Sequence, residues 1–332
     1  MILAGDTKQL GPTVRDDDAL VLGLGISMLE RLQRLPVYTS GQNMCVRSAL
    51  NSNYRSHEAL LQVPSALFYD GTLEARADFD VRSPFEHWGA LGPSRAFPFL
   101  VYDVEGVENS KLDTPSYYNL EECKAVVELI SGLMKSQKIK AQGGVNTGEI
   151  CVITPFRAQV LIMRSQLRKA GLGSINVGVV EDFQGQEFRI VLVSTVLTKD
   201  HAKWGYSVKA EDAEMKYFKL GFMHDPKRFN VAITRAQALC IIVSNCKYLL
   251  KSESYWTALI EHVSRNDGFI REKGDSTNSE DHDGTDTAYK FGVSQLVARV
   301  EELKLLGGGC DHDPTNLSSY YDENPQWRVM LT

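Results

Sequence analysis

The chain predicts a doubly wound α/β domain built on a parallel sheet. Three observations carry this. Apolar, β-branched runs at 150–153, 190–196 and 239–243 are almost uninterrupted, as strands buried on both faces require. Helical patterns separate them, so strand and helix alternate along the chain. Helix start and stop signals punctuate the alternation: Asn119 with Glu122, Thr154-Pro155, Gly171 and Asp225-Pro226.

Taken in order, Met1-Ile-Leu-Ala4 reads as the stub of a strand entering a turn at Gly5-Asp6. A compact domain rarely starts in its own central strand, so the chain is expected to be truncated there. Residues 1–52 read as the end of a first domain, with an amphipathic segment at about Ser27–Leu35. The second domain, 53–265, carries candidate strands Phe99–Tyr102, Ile150–Ile153, Ile190–Val196 and Leu239–Val243. A helix over Asn119–Lys135 sets apolar residues at 120, 123, 126, 127, 130, 133 and 134, with Asn119 and Glu122 as a capping-box pair. A second helix, capped by Thr154-Pro155, runs to about Ala170 and stops at Gly171. A third starts at Asp225-Pro226, where a spacing of seven would put Arg228 and Arg235 on one face, two turns apart. Residues 266–332 read as an acidic linker (Glu272–Thr287), a short helix at about Ser294–Leu306 ended by three glycines, and a tail.

At 332 residues the chain has room for one large or two ordinary domains, and 43% hydrophobic with 23% charged residues is ordinary globular composition. No run approaches eighteen apolar residues and no basic leader precedes one, so neither a membrane span nor a signal peptide is expected. The six cysteines, 45, 123, 151, 240, 246 and 310, form no CxxC pair, which fits a reduced compartment and implies no zinc site. The net charge of −6 is not that of a stand-alone nucleic-acid binder. Either the partner is not nucleic acid, or basic groups are concentrated on one face.

The residues that carry chemistry are few. Gly5-Asp-Thr-Lys-Gln-Leu-Gly-Pro12 is a tight loop in which Gln9 can hydrogen-bond without adding charge, or simply a polar turn. Asn53-Tyr-Arg-Ser-His57 sets a ring beside a cation. Tyr54 could stack on a base and Arg55 could pair with phosphate, or they are a core aromatic and a surface charge. Thr154-Pro155-Phe156 sits where a strand meets a helix N-terminus, a place that attracts anions and equally a plain cap. Gln184-Gly185-Gln186-Glu187 is a polar loop before a buried strand, with Gly185 allowing close backbone approach. Arg228 and Arg235 present guanidinium groups suited to a fixed anion.

These five segments, in this order, resemble the motor of superfamily 1 helicases, specifically the 5′-to-3′ Upframeshift-like branch. Asn53-Tyr-Arg-Ser-His-Glu-Ala-Leu-Leu61, Phe183-Gln-Gly-Gln-Glu187 and Pro325-Gln-Trp-Arg328 are similar to the Armitage / Mov-ten family of RNA-silencing helicases. The resemblance covers roughly residues 1–265. It implies a RecA-like second motor domain of the P-loop NTPase class and an ATP-dependent RNA helicase in RNA silencing. It also implies that Arg235, Arg55 and Gln9 act on the terminal phosphate, Arg235 as an arginine finger. Tyr54, Glu187, Gly185 and Gln184 would serve nucleotide binding and its coupling to RNA. Thr154, Pro155, Phe156 and Arg228 would face single-stranded RNA, Arg228 otherwise supporting the fold. ATP and Mg²⁺ would be held mainly by a first domain; Argonaute/Piwi-type ribonucleoproteins would be partners and the cytoplasm, with RNA granules, the location. A DNA or hybrid helicase stays open, as does a docking module using the acidic linker and Tyr320, Tyr321 and Trp327.

No G-x-x-x-x-G-K-[ST] phosphate cradle occurs in the 332 residues. The chain alone is therefore expected to hydrolyse no ATP above background, and measurable turnover from a clean preparation would overturn this.

Overall fold

The computed structural model describes residues 2–14, 16–39, 47–82, 85, 97–110, 116–136, 144–199, 223, 225–251 and 255–271, all within the compact unit Met1–Phe291. The acidic stretch 272–287, the helix expected over 294–306 and the tail with Tyr320, Tyr321 and Trp327 lie outside the described residues.

Three short helices open the chain: α1 (Asp17–Val21), α2 (Met28–Gln33) and α3 (Pro36–Thr39). Strand β1 (Ser52–Asn53) precedes α4 (Glu58–Phe68) and pairs parallel with β2 (Glu74–Ala75); a turn of helix, α5 (Phe79–Arg82), follows. Then come β3 (Phe99–Asp103), a ribbon of β4 (Glu108–Ser110) and β5 (Tyr117–Asn119), and α6 (Leu120–Lys135). The rest alternates: β6 (Ile150–Ile153), α7 (Arg157–Lys169), β7 (Asn176–Gly178), β8 (Phe188–Ser194), α8 (Pro226–Ile233), β9 (Ala236–Ser244), α9 (Cys246–Lys251), α10 (Tyr255–Arg265) and β10 (Phe269–Arg271). Six strands form one sheet in the order β10-β3-β9-β8-β6-β7, every pairing parallel. This is the doubly wound, RecA-like architecture expected from the sequence.

Burial on both faces explains the uninterrupted apolar strands. One face sets Ile150, Val152, Ile190, Leu192, Leu239 and Ile241 against Val126, Ile130 and Leu133 of α6 and Val160, Met163 and Leu167 of α7. On the helical layer that includes α8 and α10, Phe229 meets the Trp256 ring edge-on at 4.8 Å and Phe68 and Tyr255 at about 6 Å. The four described cysteines, 123, 151, 240 and 246, are free and buried. No helix among the described residues is long and apolar enough to cross a membrane.

Several boundaries differ from the expectations. Residues 2–4 belong to no strand, and Ile2 is 96% exposed; a strand needs a neighbour, and none is present among the described residues. Strands β7 and β10, three residues each, are too short to show a period. Helix α7 starts at Arg157 with Phe156 at its N-cap and no side-chain cap, so Thr154-Pro155 does not cap it.

The capping-box pair is half right. Asn119 caps α6, accepting from the Glu121 and Glu122 N–H groups at 3.1 and 3.2 Å. Glu122 does not reach back. The Asn119 N–H donates to Gln159 Oε1 at 2.9 Å, and Glu122 turns into the core. There its carboxylate accepts from Ser194 Oγ at 2.6 Å and from the Val196 N–H at 3.0 Å. That N–H belongs to a β-branched residue at φ +72°, a left-handed conformation such residues avoid. Glu122 thus fixes the backbone that leaves β8 at its carboxyl end.

Burial raises Glu122 from an ordinary 4.5 to about 7, while Ser194 and Val196 pull it down. A carboxyl group whose folded value is raised favours the native state when protonated. Its stabilising contribution is full below about pH 4.5 and is lost as pH rises through about 7. Glu122→Gln is expected to flatten this fall, worth up to about 3 kcal/mol, in denaturant titrations between pH 5 and 8. Parallel profiles for the two proteins would show that Glu122 does not set it.

Candidate functional site

Helix α8 begins as its sequence predicts. Asp225 caps it, accepting from the Lys227 and Arg228 N–H groups at 2.9 and 3.2 Å, and Pro226 takes the first position. It ends at Ile233, because the chain must turn at Thr234 to enter β9. Arg235 therefore lies beyond the helix, and the shared face expected for Arg228 and Arg235 does not form. Arg228 turns instead to Glu181, 2.8 Å from its Nε, and to its own cap Asp225 at 3.7 Å.

Arg235 is buried at the amino end of β9, only 2% exposed. Its Nε donates to the Val231 carbonyl at 3.1 Å and its Nη1 to the Gln186 carbonyl at 3.2 Å. Its Nη2 donates to Gln9 Oε1 at 3.4 Å and to Thr234 Oγ1 at 2.9 Å. All four acceptors are neutral. Burial, and next the nearby Arg55 guanidinium, push Arg235 down to about 10, so it stays a cation at neutral pH.

Arg55 arrives from the loop before α4. Asn53 Oδ1 accepts from the Arg55 and Ser56 N–H groups, while Ser56 Oγ and the His57 N–H donate to the Ala236 and Gln237 carbonyls, which pins the loop to β9. His57 caps α4 through Nδ1, which accepts from the Ala59 N–H at 3.1 Å. Arg55 Nε then reaches Glu187 Oε2 at 2.6 Å and Nη1 the Thr234 carbonyl at 3.2 Å. Gln237 Nε2 donates to Glu187 Oε1 at 3.0 Å. The hydrogen bond from Arg55 holds Glu187 below the usual carboxylate range. Tyr54, 75% exposed, stands free beside this cluster with an open ring face.

The Gly5–Pro12 loop closes the cluster. Gln9 Nε2 donates to Asp6 Oδ2 at 2.9 Å, which leaves its carbonyl oxygen toward Arg235. Two residues without any expected role lie here: Tyr69 Oη donates to Asp6 Oδ2 at 2.6 Å, and Asn230 Nδ2 donates to Tyr69 Oη at 2.8 Å and the Lys8 carbonyl at 2.9 Å. Lys227 pairs with Glu30 of α2 at 2.8 Å. Gln184 Nε2 donates to the Leu10 carbonyl at 3.4 Å, and Gly185 has φ +78°. Gln9, Arg55, Glu187 and Arg235, read from four distant segments, are thus within one hydrogen-bonded network.

Thr154, Pro155 and Phe156 sit elsewhere. They follow β6 at its carboxyl end, whereas Glu187 and Arg235 precede β8 and β9. With β6 and β8 in parallel register, the two places are roughly 20 Å apart along the sheet. The Thr154 side chain is fully buried, and the Phe156 ring is buried edge-on against Tyr117 at 5.2 Å, so neither side chain is presented as a contact. The exposed groups there are Arg157, 3.3 Å from Asp182, and Arg164, which line a surface cavity of about 270 Å³ with Asn176 and Gln186. No group of three or more His, Cys, Asp or Glu among the described residues could hold a metal ion.

Arg235→Ala is expected to cost about 3 kcal/mol of stability, because the buried Val231 carbonyl and three part-buried acceptors lose their donor. Tyr54→Ala is expected to stay within about 0.5 kcal/mol, its ring being in solvent. Urea unfolding of both variants checks the pair.

A family model described as an AAA domain matches residues 24–247. Human RNA helicase Mov10l1 is 39% identical over 275 residues, which are 80% of this chain and 21% of that protein. A Drosophila melanogaster protein described as a probable RNA helicase, armi, is 32% identical over 290 residues, 81% of this chain and 23% of that protein. The chain spans about a quarter of the length of the curated relatives it matches. With the AAA domain over two thirds of its length and this identity to Mov10l1 and Armitage, the chain belongs to the Upframeshift-like superfamily 1 helicases, in the Armitage / Mov-ten family.

Proposed function

We propose that this chain is the C-terminal motor half of an ATP-dependent 5′-to-3′ RNA helicase acting in RNA silencing. Residues 1–52 would end a first motor domain, 53–265 form the second, and 266–332 supply a linker, short helix and tail. The observation that supports this best is Arg235, a buried cation whose four hydrogen bonds all go to neutral oxygens. Such a group is desolvated without being neutralised, so an anion brought to it gains strongly. Arg55 adds a second cation, and its carboxylate partner Glu187 is half-exposed, so solvent screens their pairing.

In this reading the terminal phosphate of ATP displaces Gln9 from Arg235 and Glu187 from Arg55. Tyr54 stacks its open face on the adenine. Water attacks the terminal phosphorus, the bond to the bridging oxygen breaks, and ADP and phosphate leave. Arg235 and Arg55 neutralise charge on the oxygens as that bond breaks. The Val180–Glu187 turn joins this cluster to Arg157 and the Thr154–Phe156 turn, which would lie along single-stranded RNA. No group of three or more His, Cys, Asp or Glu that could cage a metal lies among the described residues, and in this reading Mg²⁺ would be held mainly by the first motor domain and the phosphates. The relatives described as RNA helicases support RNA as the polymer. Argonaute/Piwi-type partners and a cytoplasmic, granule-associated location belong to the same family reading.

The test is RNA-stimulated ATPase of the full-length protein, wild type against Arg235→Lys, which keeps charge and bulk but loses the planar fork. Turnover is expected to fall about 10²–10³-fold with RNA binding retained. Unchanged turnover would make Arg235 structural and favour a docking module. Equal stimulation by matched DNA would remove the preference for RNA.

A further inference from the structure

Asp6 is where the Gly5–Pro12 loop meets the rest of the cluster. Its Oδ1 accepts from the Lys8 N–H at 2.9 Å, and its Oδ2 takes two donors, Gln9 Nε2 and Tyr69 Oη. Arginine has only donors, so the Gln9 atom facing Arg235 must be its carbonyl oxygen and the atom on Asp6 its nitrogen. Held this way, Gln9 offers an acceptor to the site. An acceptor steadies a guanidinium and repels a phosphate. To donate to a phosphate oxygen, the Gln9 nitrogen has to leave Asp6.

What becomes of Asp6 then depends on Tyr69. Tyr69 follows α4, with the preceding Phe68 packed against Phe229 and Tyr255. Its hydroxyl oxygen accepts from Asn230, so its single proton is committed to Asp6. Burial and the Asp6 carboxylate keep this phenol well above the ordinary tyrosine range, so the proton stays on oxygen. Asn230 is fully buried on α8, and its Oδ1 has no partner, which leaves an acceptor unfilled in this arrangement. Tyr69 and the Lys8 N–H can hold Asp6 after Gln9 departs, so the carboxylate keeps two donors and its place when the amide leaves.

We propose that Tyr69 is a positioning residue of the nucleotide-facing site, its hydroxyl backed by Asn230 and holding Asp6 so that Gln9 can exchange Asp6 and Arg235 for a phosphate oxygen of a nucleoside triphosphate. This rests on the helicase reading of the site. The experiment is steady-state ATPase of the full-length protein with saturating RNA, wild type against Tyr69→Phe, which keeps the ring packing and removes one proton. The expected result is a kcat about 10-fold lower with the KM for ATP within about twofold. In a Gln9→Ala background, Tyr69→Phe is expected to cost nothing more, because it acts through Gln9.

A normal kcat for Tyr69→Phe overturns the inference, as does an undiminished loss in the Gln9→Ala background, which would reduce the hydroxyl to a fold contact. Should Tyr69→Phe not fold, Asp6→Asn carries the same comparison, with the same expected loss and the same failure. Absence of turnover in the wild type overturns the helicase reading and this inference together, and so is distinguishable from failure of Tyr69 alone.

Discussion

The buried guanidinium of Arg235 is the contact on which the rest of the site depends. Its three nitrogens tie together pieces of chain that share no local sequence: the end of α8 through Val231, the segment before β8 through Gln186, and the Gly5–Pro12 loop through Gln9. The Phe188 N–H donates to the Arg235 carbonyl at 3.0 Å, so the same residue also helps set the register between β8 and β9. A side chain with this many obligations cannot move without moving its neighbours. Displacement of Gln9 from Nη2 would therefore be felt at the loop, and a shift of Arg235 at the strand before it.

The sheet gives this site a second end. Glu187 and Arg235 stand at the amino ends of β8 and β9, while Ser194 and Val196 are gripped by Glu122 at the carboxyl end of β8. The Val180–Glu187 segment spans the difference, bound to Arg157 through Asp182, to Arg228 through Glu181 and to Arg55 through Glu187. Three ion pairs on one eight-residue stretch are individually weak, being partly exposed. Together they tie the segment to three separate elements, α7, α8 and the loop before α4.

Much of the fold was legible because burial on both faces leaves an unmistakable trace. Ile150–Ile153 was read to the residue, and β8 and β9 were found with shifted ends. Strands β7 and β10 left no trace, since three residues cannot show a period. The spacing of Arg228 and Arg235 misled, because helical periodicity was extended past Ile233, where the chain has to turn into a strand. Glu122 misled for a related reason: the capping pattern is local, and a fully buried carboxylate answering Ser194 is a tertiary event. Tyr69 and Asn230 were invisible for the plainest reason. Their partners lie 63 and 161 residues away in sequence, and neither residue type announces a role by itself.

A structural explanation of Arg235 has to meet an energetic objection. Desolvating a cation is costly, and folds that bury one for stability usually set a carboxylate against it or replace it with apolar bulk. Here the carboxylates are close but spent elsewhere: Glu187 is paired to Arg55 and Asp6 is bonded to Tyr69 and Gln9. Moving either onto Arg235 would neutralise it and would leave nothing for an incoming anion to gain. The arrangement withholds that pairing while giving the guanidinium four hydrogen bonds for its five N–H donors, which limits the cost without removing the charge. A group kept desolvated, charged and only neutrally partnered is pre-organised for a negative ligand. The neutral amide of Gln9 is the partner that can be exchanged with the least disturbance.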